Sequence, residues 1–283
     1  MTLRIGSIND GQLLLDGGAM FGVVPKVLWE RKNPADARNR IELGLHCMFI
    51  EGEGLRVIVD TGVGDKGDDE FADIYGLEAS GQLCRALAQR GIKPEDISHV
   101  INTHLHFDHC GGNTTLNEQG EAVPTFPSAR YIAQKGEWEE ALNPGDRSRA
   151  SYMGQDFLPI EAAGQLDLVE GEVEVLPGIT LIPTPGHTRH HQSVLVQTSE
   201  GPVFHPGDLI PTSSHLPLPW VMSYDLHPVD TVDTKREILT RARAEGWKFY
   251  FQHEPGDAPY GEMEWLPTKK GEKPVFRPLP LPF

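Results

Sequence analysis

The sequence predicts a layered α/β domain, with β-sheets inside and helices outside. Three observations carry that expectation: many short apolar runs punctuated by Gly and Pro, helical runs that come late and singly between groups of strands, and two turns at hairpin spacing. The chain has 283 residues, of which 39% are hydrophobic and 23% charged, enough to bury a substantial core. No internal repeat and no Ser/Gly linker divides it, so residues 1–283 are read as a single domain.

Candidate strands in chain order cover 12–15, 44–51, 55–60, 97–102, 129–133, 166–169, 172–176, 179–184, 191–198, 203–205 and 248–252. Glu51-Gly52-Glu53-Gly54 separates the second and third, and Ser199-Glu200-Gly201 separates the ninth and tenth. Turns of that length join antiparallel neighbours. Helix candidates are 80–90, stopped by Gly91; 134–142, stopped by Asn143-Pro144; a fainter run at 146–157; and 229–245, stopped by Gly246 and capped by Asp230 or Thr231. Residues 269–283 carry Pro274, Pro278, Pro280 and Pro282 alternating with Phe, Val and Leu. That pattern predicts an extended C-terminal arm, packed on its own domain or exchanged with a second copy in a homodimer.

Charge and composition narrow the partners. Twenty-five Lys and Arg stand against 41 Asp and Glu, a net charge of −16, which repels phosphate backbones and argues against nucleic acid. No apolar run approaches the roughly 18 residues of a membrane span, and the first residues show no basic stretch followed by an apolar core. A cytoplasmic protein with no membrane partner is expected. Cys47, Cys84 and Cys110 are widely spaced, without a CxxC pair, and read as free thiols.

The chemistry-bearing segment is Thr103-His104-Leu105-His106-Phe107-Asp108-His109-Cys110-Gly111-Gly112. Three imidazoles and a carboxylate fall within six residues, directly after a candidate strand. A loop at a strand end can aim His104 and His106 one way while Asp108 and His109 turn toward a neighbouring position. Imidazole and carboxylate are the ligands that Zn²⁺ and similar ions take. Three further candidates, His187, Asp208 and His253, each lie just beyond another candidate strand. His46, His99, His205 and His227 are read as structural.

This ordered set resembles the metallo-β-lactamase superfamily, whose signature is HxHxDH followed by a distant His, Asp and His. The resemblance runs from Val59-Asp60-Thr61-Gly62 to His253. It implies a four-layer αββα sandwich with two divalent metal ions at one edge, zinc first, with iron, manganese or cobalt as alternatives. His104, His106 and His187 would hold one ion; Asp108, His109 and His253 the other; Asp208 would bridge them. Asp60 would accept a hydrogen bond from a ligand imidazole and fix its tautomer.

The implied reaction is hydrolysis by a metal-bridging hydroxide, with Asp108 orienting the nucleophile and carrying a proton to the leaving oxygen. The wider sequence resembles the N-acyl homoserine lactonase-like branch, through Phe107, Phe126-Pro127-Ser128-Ala129-Arg130-Tyr131, Glu137-Trp138 and Pro177-Gly178. A lactone or carboxylic ester of a small molecule is therefore the expected substrate. A phosphotriesterase, a glyoxalase II-like thioesterase and a non-catalytic metal-stabilised binding protein are the alternatives.

Two departures bear on the substrate. Where that branch has a carbonyl-binding Tyr shortly after the bridging Asp, this chain reads Asp208-Leu209-Ile210-Pro211, leaving His215 or Tyr224 to supply the donor. After His187 it reads Thr188-Arg189-His190-His191 in place of Thr, Pro and Gly, so Arg189 adds charge beside the metal rim. The glycine-rich 16–25 segment lacks GxGxxG spacing, and its Met20 and Phe21 are pocket candidates, as is Trp220.

Overall fold

The structure is a computed structural model that describes residues 3–77, 80–269 and 271–283. Two mixed sheets stack face to face. The first orders Arg4–Asp16, Arg40–Gly52, Leu55–Val59, His99–Ile101, Arg130–Gln134 and Leu166–Val169. The second orders Gly271–Pro278, Tyr260–Thr268, Lys248–Tyr250, Gly201–His205, Gln192–Thr198, Ile179–Pro183 and Val173–Leu176.

Side-chain alternation explains why the sheets are buried on both faces. Met48, Ile50, Val57, Val59 and Ile101 point inward and meet Val194, Val196, Val203 and Tyr250 of the other sheet. Their neighbours Cys47, Phe49, Ile58 and Val100 point outward onto Leu83, Leu87 and Ile160 of the helical layer. Leu195 and Phe204 do the same on the other side, against Ile238, Leu239 and Ala242. Each such buried aliphatic contributes about 1.5–3 kcal/mol, and a one-residue slip would reverse both faces at once. The result is the expected four-layer αββα arrangement.

The two expected hairpins are present. Arg40–Gly52 pairs antiparallel with Leu55–Val59, and Gln192–Thr198 with Gly201–His205. Several boundaries differ from expectation. The first strand spans Arg4–Asp16, broken by a register shift between Asn9 and Gln12, well beyond 12–15. The 80–90 helix begins at Leu83. In place of a helix at 146–157 there is a 3₁₀ turn, Arg149–Ser151, and then a helix, Gly154–Ala162. The long helix is Pro228–Glu245, with His227 as N-cap and no side-chain capping bond. Neither Asp230 nor Thr231 caps it, because Pro228 has its φ preset and no N–H to satisfy, and starts the helix ahead of both.

The C-terminal segment is extended, as its prolines require, and it packs on its own domain. Gly271–Pro278 forms the edge strand of the second sheet against Tyr260–Thr268, a strand the sequence did not suggest. An edge is where prolines are tolerated within a sheet. Leu279 and Leu281 pack on the inter-sheet core, and Phe283 sits edge-on to Phe49 at 5.9 Å. Lys270 lies outside the described residues. No helix of the described residues is long and apolar enough to cross a membrane.

Parallel pairing positions the site. Leu55–Val59, His99–Ile101 and Arg130–Gln134 run parallel in one sheet, and Gly201–His205 and Lys248–Tyr250 in the other. The loops after Val59, Ile101, His205 and Tyr250 therefore gather at one edge of the sandwich.

Candidate metal centre

Those strand ends carry Asp60, His104 to His109, Asp208 and His253, and the loop after Ile179–Pro183 carries His187. Three overlapping groups form there: His104, His106 and His187; His104, His109 and Asp208; Asp108, His109 and His253. All seven side chains are buried.

The distances are those of ligand atoms around a common ion. His187 Nε2 is 3.1 Å from His106 Nδ1, and His253 Nε2 is 3.1 Å from His109 Nε2. Asp208 presents Oδ2 to His187 Nε2 at 3.2 Å, and Oδ1 to His109 Nε2 at 3.3 Å and His253 Nε2 at 3.4 Å. Asp108 Oδ2 lies 3.6 Å from His253 Nε2 and 3.8 Å from His109 Nε2. A tetrahedral ion bound at about 2.0–2.1 Å separates its ligand atoms by about 3.3–3.4 Å.

Hydrogen bonds on the far side of each ring assign the tautomers. His109 Nδ1 donates to Asp60 Oδ2 at 2.9 Å, His187 Nδ1 to Asp225 Oδ1 at 3.0 Å, and His253 Nδ1 to the Gly44 carbonyl at 2.9 Å. In each neutral ring Nε2 is then a lone pair facing the centre. Between His109 and His253 two such lone pairs would meet at 3.1 Å, which is repulsive unless a proton or a cation lies between them. His104 Nε2 and Asp208 Oδ1 are buried without a hydrogen-bond partner, and an ion at the centre would satisfy both. The donor set thus fits divalent metal.

Electrostatics agree. Burial alone would depress the His109 pKa, yet the Asp208, Asp108 and Asp60 carboxylates hold it well above the ordinary imidazole value. Burial would raise Asp208, but His109 and His187 keep it well below the usual carboxylate range. His104 and His106 are driven well down, first by burial and then by neighbouring imidazoles. Burial would lower His187 too, but Asp208 and Asp225 raise it. The carboxylates thus favour positive charge at His109 and His187, while His104 and His106 stay neutral.

Asp60 has a positive φ of 54°, a conformation costing of order 1–3 kcal/mol in a non-glycine residue. It persists because its carboxylate also accepts from the Thr103 N–H at 2.8 Å and the Thr103 hydroxyl at 2.7 Å. Gly207, at φ 53°, has the opposite requirement: a Cβ there would stand 2.6 Å from His191 Nε2. That close approach lets the Asp208 N–H donate to His191 Nε2 at 3.0 Å. His191 Nδ1 is 2.8 Å from the Thr184 hydroxyl, which continues to Ser193 at 2.8 Å.

A cleft of about 310 Å³ opens over the centre. Leu15, Met20, Leu43, Phe107, Met222 and Leu226 make its apolar walls, while Tyr75, Arg147, Ser148 and Tyr224 add polar groups. Of the pocket candidates, Met20 and Tyr224 line this cleft. Phe21 is fully buried behind the wall, stacked on Trp29 at 5.2 Å and on His215 at 4.6 Å, with Trp220 edge-on at 5.6 Å. Trp220 thus backs the wall rather than lining it, and Arg189 is exposed outside the lining.

His215 does not offer a donor to the cleft. Its Nε2 donates to the Met20 carbonyl at 2.8 Å, its Nδ1 takes the Thr212 hydroxyl at 2.8 Å, and burial pulls its pKa down to about 3. Both nitrogens are spent on holding the wall. Asp225, Tyr75 and Arg147 are absent from the sequence-derived candidates, since each lies outside the recognisable strand-end motifs.

Comparison with known proteins places this geometry. Residues 41–253 match the metallo-beta-lactamase superfamily. An N-acyl homoserine lactonase of Bacillus cereus is 31% identical over 172 residues, covering 57% of this chain and 62% of that protein. The chain thus spans less than two thirds of the length of that curated relative. The crystal structure of a probable metal-dependent hydrolase from Staphylococcus aureus superposes with a TM-score of 0.86 at 30% identity, covering 97% of each chain. An N-acyl homoserine lactone hydrolase, described with N-hexanoyl-L-homoserine bound at its catalytic metal centre, gives a TM-score of 0.70 at 25% identity, covering 90% of this chain and 95% of the other. With the signature residues gathered at the expected edge of the sandwich and most of its length matched, this chain belongs to the metallo-β-lactamase superfamily.

Proposed function

We propose that the protein is a dinuclear metal-dependent hydrolase that cleaves a lactone or carboxylic ester of a small molecule. The observation that carries the reading is the Asp208 carboxylate, which turns Oδ2 to His187 and Oδ1 to His109 and His253. One carboxylate facing two imidazole clusters with different oxygens is the arrangement a bridging ligand needs. His104, His106 and His187 would hold one ion, and Asp108, His109 and His253 the other, with zinc the first expectation for this donor set.

Two divalent ions so held supply a water acidic enough to ionise near neutral pH and an electrophile for the substrate carbonyl. The chain's own residues do the rest. Asp108, at the cleft floor, accepts a proton at its free carboxylate oxygen and passes it to the leaving alkoxide. The Tyr224 hydroxyl, whose pKa burial pushes up to about 12, stays protonated and donates to the substrate carbonyl. Leu15, Met20, Leu43 and Met222 exclude water and receive an apolar substituent. The homoserine product held by one structural relative supports the lactone class.

The test is elemental analysis of protein purified without added metal, followed by a panel of lactones, aryl esters, thioesters and phosphotriesters. Lactone or ester turnover lost on chelation and restored by zinc supports the reading. Preference for thioesters or phosphotriesters would reassign the substrate class. No turnover of any class at full metal loading would leave a binding protein.

A further inference from the structure

Behind the proposed metal centre lies a carboxylate that touches no ligand, Glu137. It sits in the first turn of the helix Lys135–Leu142 and is 1% exposed. Oε1 accepts the Leu105 N–H at 3.1 Å and the Tyr152 hydroxyl at 2.9 Å, and Oε2 accepts the Thr188 hydroxyl at 2.6 Å. Together the three donors lead to three imidazoles. Leu105 stands between His104 and His106 in the chain, Thr188 follows His187, and the Tyr152 ring packs edge-on to His106 at 4.8 Å.

We propose that Glu137 is a positioning residue for one of the two metals, fixing His104, His106 and His187 as a set without contacting any of them. The proposal rests on the two-metal reading above. The argument is geometric. His104 and His106 come from the loop after one sheet's strand and His187 from the loop after a strand of the other, so their mutual placement depends on the two sheets staying in register. Glu137 joins both loops directly, with three donors meeting one acceptor-only group, which fits an ionised carboxylate. Burial raises its pKa, and the bonds from Thr188, Leu105 and Tyr152 oppose that rise. Asp108, His109 and His253 receive no bond from it, so its influence is confined to one ion.

The experiment follows zinc release from the zinc-loaded protein to a chromophoric chelator. In Glu137→Ala one ion of the two should leave about tenfold faster or more, the scale at which outer partners of metal ligands act, while the other leaves at its original rate. Glu137→Gln should restore most of the retention, since its carbonyl still accepts from Leu105 and Tyr152 and its amide can donate to Thr188. If the alanine variant does not fold, Tyr152→Phe and Thr188→Val, each removing one arm at nearly constant shape, should speed the same phase by a smaller factor. Wild-type release of both ions in every variant overturns the proposal, as does equal acceleration of both ions together with a fall in Tm. A wild-type chain that binds no zinc overturns the metal reading itself, a result visible before any variant is compared.

Discussion

The Nδ1 atom of His109 lies 2.9 Å from Oδ2 of Asp60, and Asp60 holds that position from a left-handed backbone at φ 54°. The strain and the hydrogen bond belong together. From that conformation the carboxylate reaches His109 and both donors of Thr103 at once. Asp60→Asn should therefore keep the backbone, because Asn tolerates positive φ, while presenting an amide that cannot accept as the carboxylate does. The expected outcome is roughly 10–100-fold weaker retention of one metal ion, read by competition with a chelator. Unchanged retention would mean that the His109 tautomer is set elsewhere.

Asp208 is the side chain on which the dinuclear reading depends most. Asp208→Ala leaves His187 on one side and His109 and His253 on the other without their shared carboxylate. Metal content should fall below two ions per chain, and turnover should fall by several orders of magnitude with it. Two ions per chain and full activity in this variant would remove Asp208 from the bridging position.

Tyr224 and His215 separate chemistry from scaffolding. Tyr224 lines the cleft, and with the donor role proposed for its hydroxyl Tyr224→Phe should lower kcat/KM about tenfold or more through kcat, with Tm unchanged. His215→Ala removes a ring stacked on Phe21 and the bond to Met20, so the loss should appear in Tm, at about 2–4 kcal/mol of stability. The reverse pattern would exchange their roles.

The contrast between these two residues shows what the sequence can carry. His104, His106, Asp108, His109, His187, Asp208 and His253 are legible as one group because each follows a strand, and strand ends at one sheet edge converge by topology. Asp60 is legible only through the family resemblance of Val59-Asp60-Thr61-Gly62. Asp225 is not: it lies in the aperiodic stretch after His215, and only the folded chain brings it to His187. His215 looks like a donor in the sequence because nothing there reveals that Phe21, far away in the chain, will stack on its ring. The C-terminal prolines specify extended backbone but cannot say whether it stands free or pairs, and the pairing partner Tyr260–Thr268 carries too few β-branched residues to declare itself.

Lys235 makes the pH dependence of stability predictable. Its side chain is fully buried and donates to the His215 carbonyl at 2.7 Å and the Trp220 carbonyl at 2.8 Å, tying the long helix to the loop that carries Tyr224 and Asp225. Burial pulls its pKa from 10.5 down to about 7, with the Asp225 carboxylate pulling it back up. The folded value lies below the unfolded one, so the stability linked to the neutral amine is fully present above about pH 10.5, drains away as the pH falls toward 7, and changes little below that. Lys235→Met abolishes this contribution while leaving the exposed lysines, and so the rest of the alkaline titration, the same in both proteins. The Tm of the wild type minus that of the variant should therefore increase steadily from pH 7 to about pH 10, by an amount on the order of a few kcal/mol in stability. Thermal unfolding of both proteins across that range measures it, and a flat difference would show that the ammonium stays charged in the fold, held by the two carbonyls.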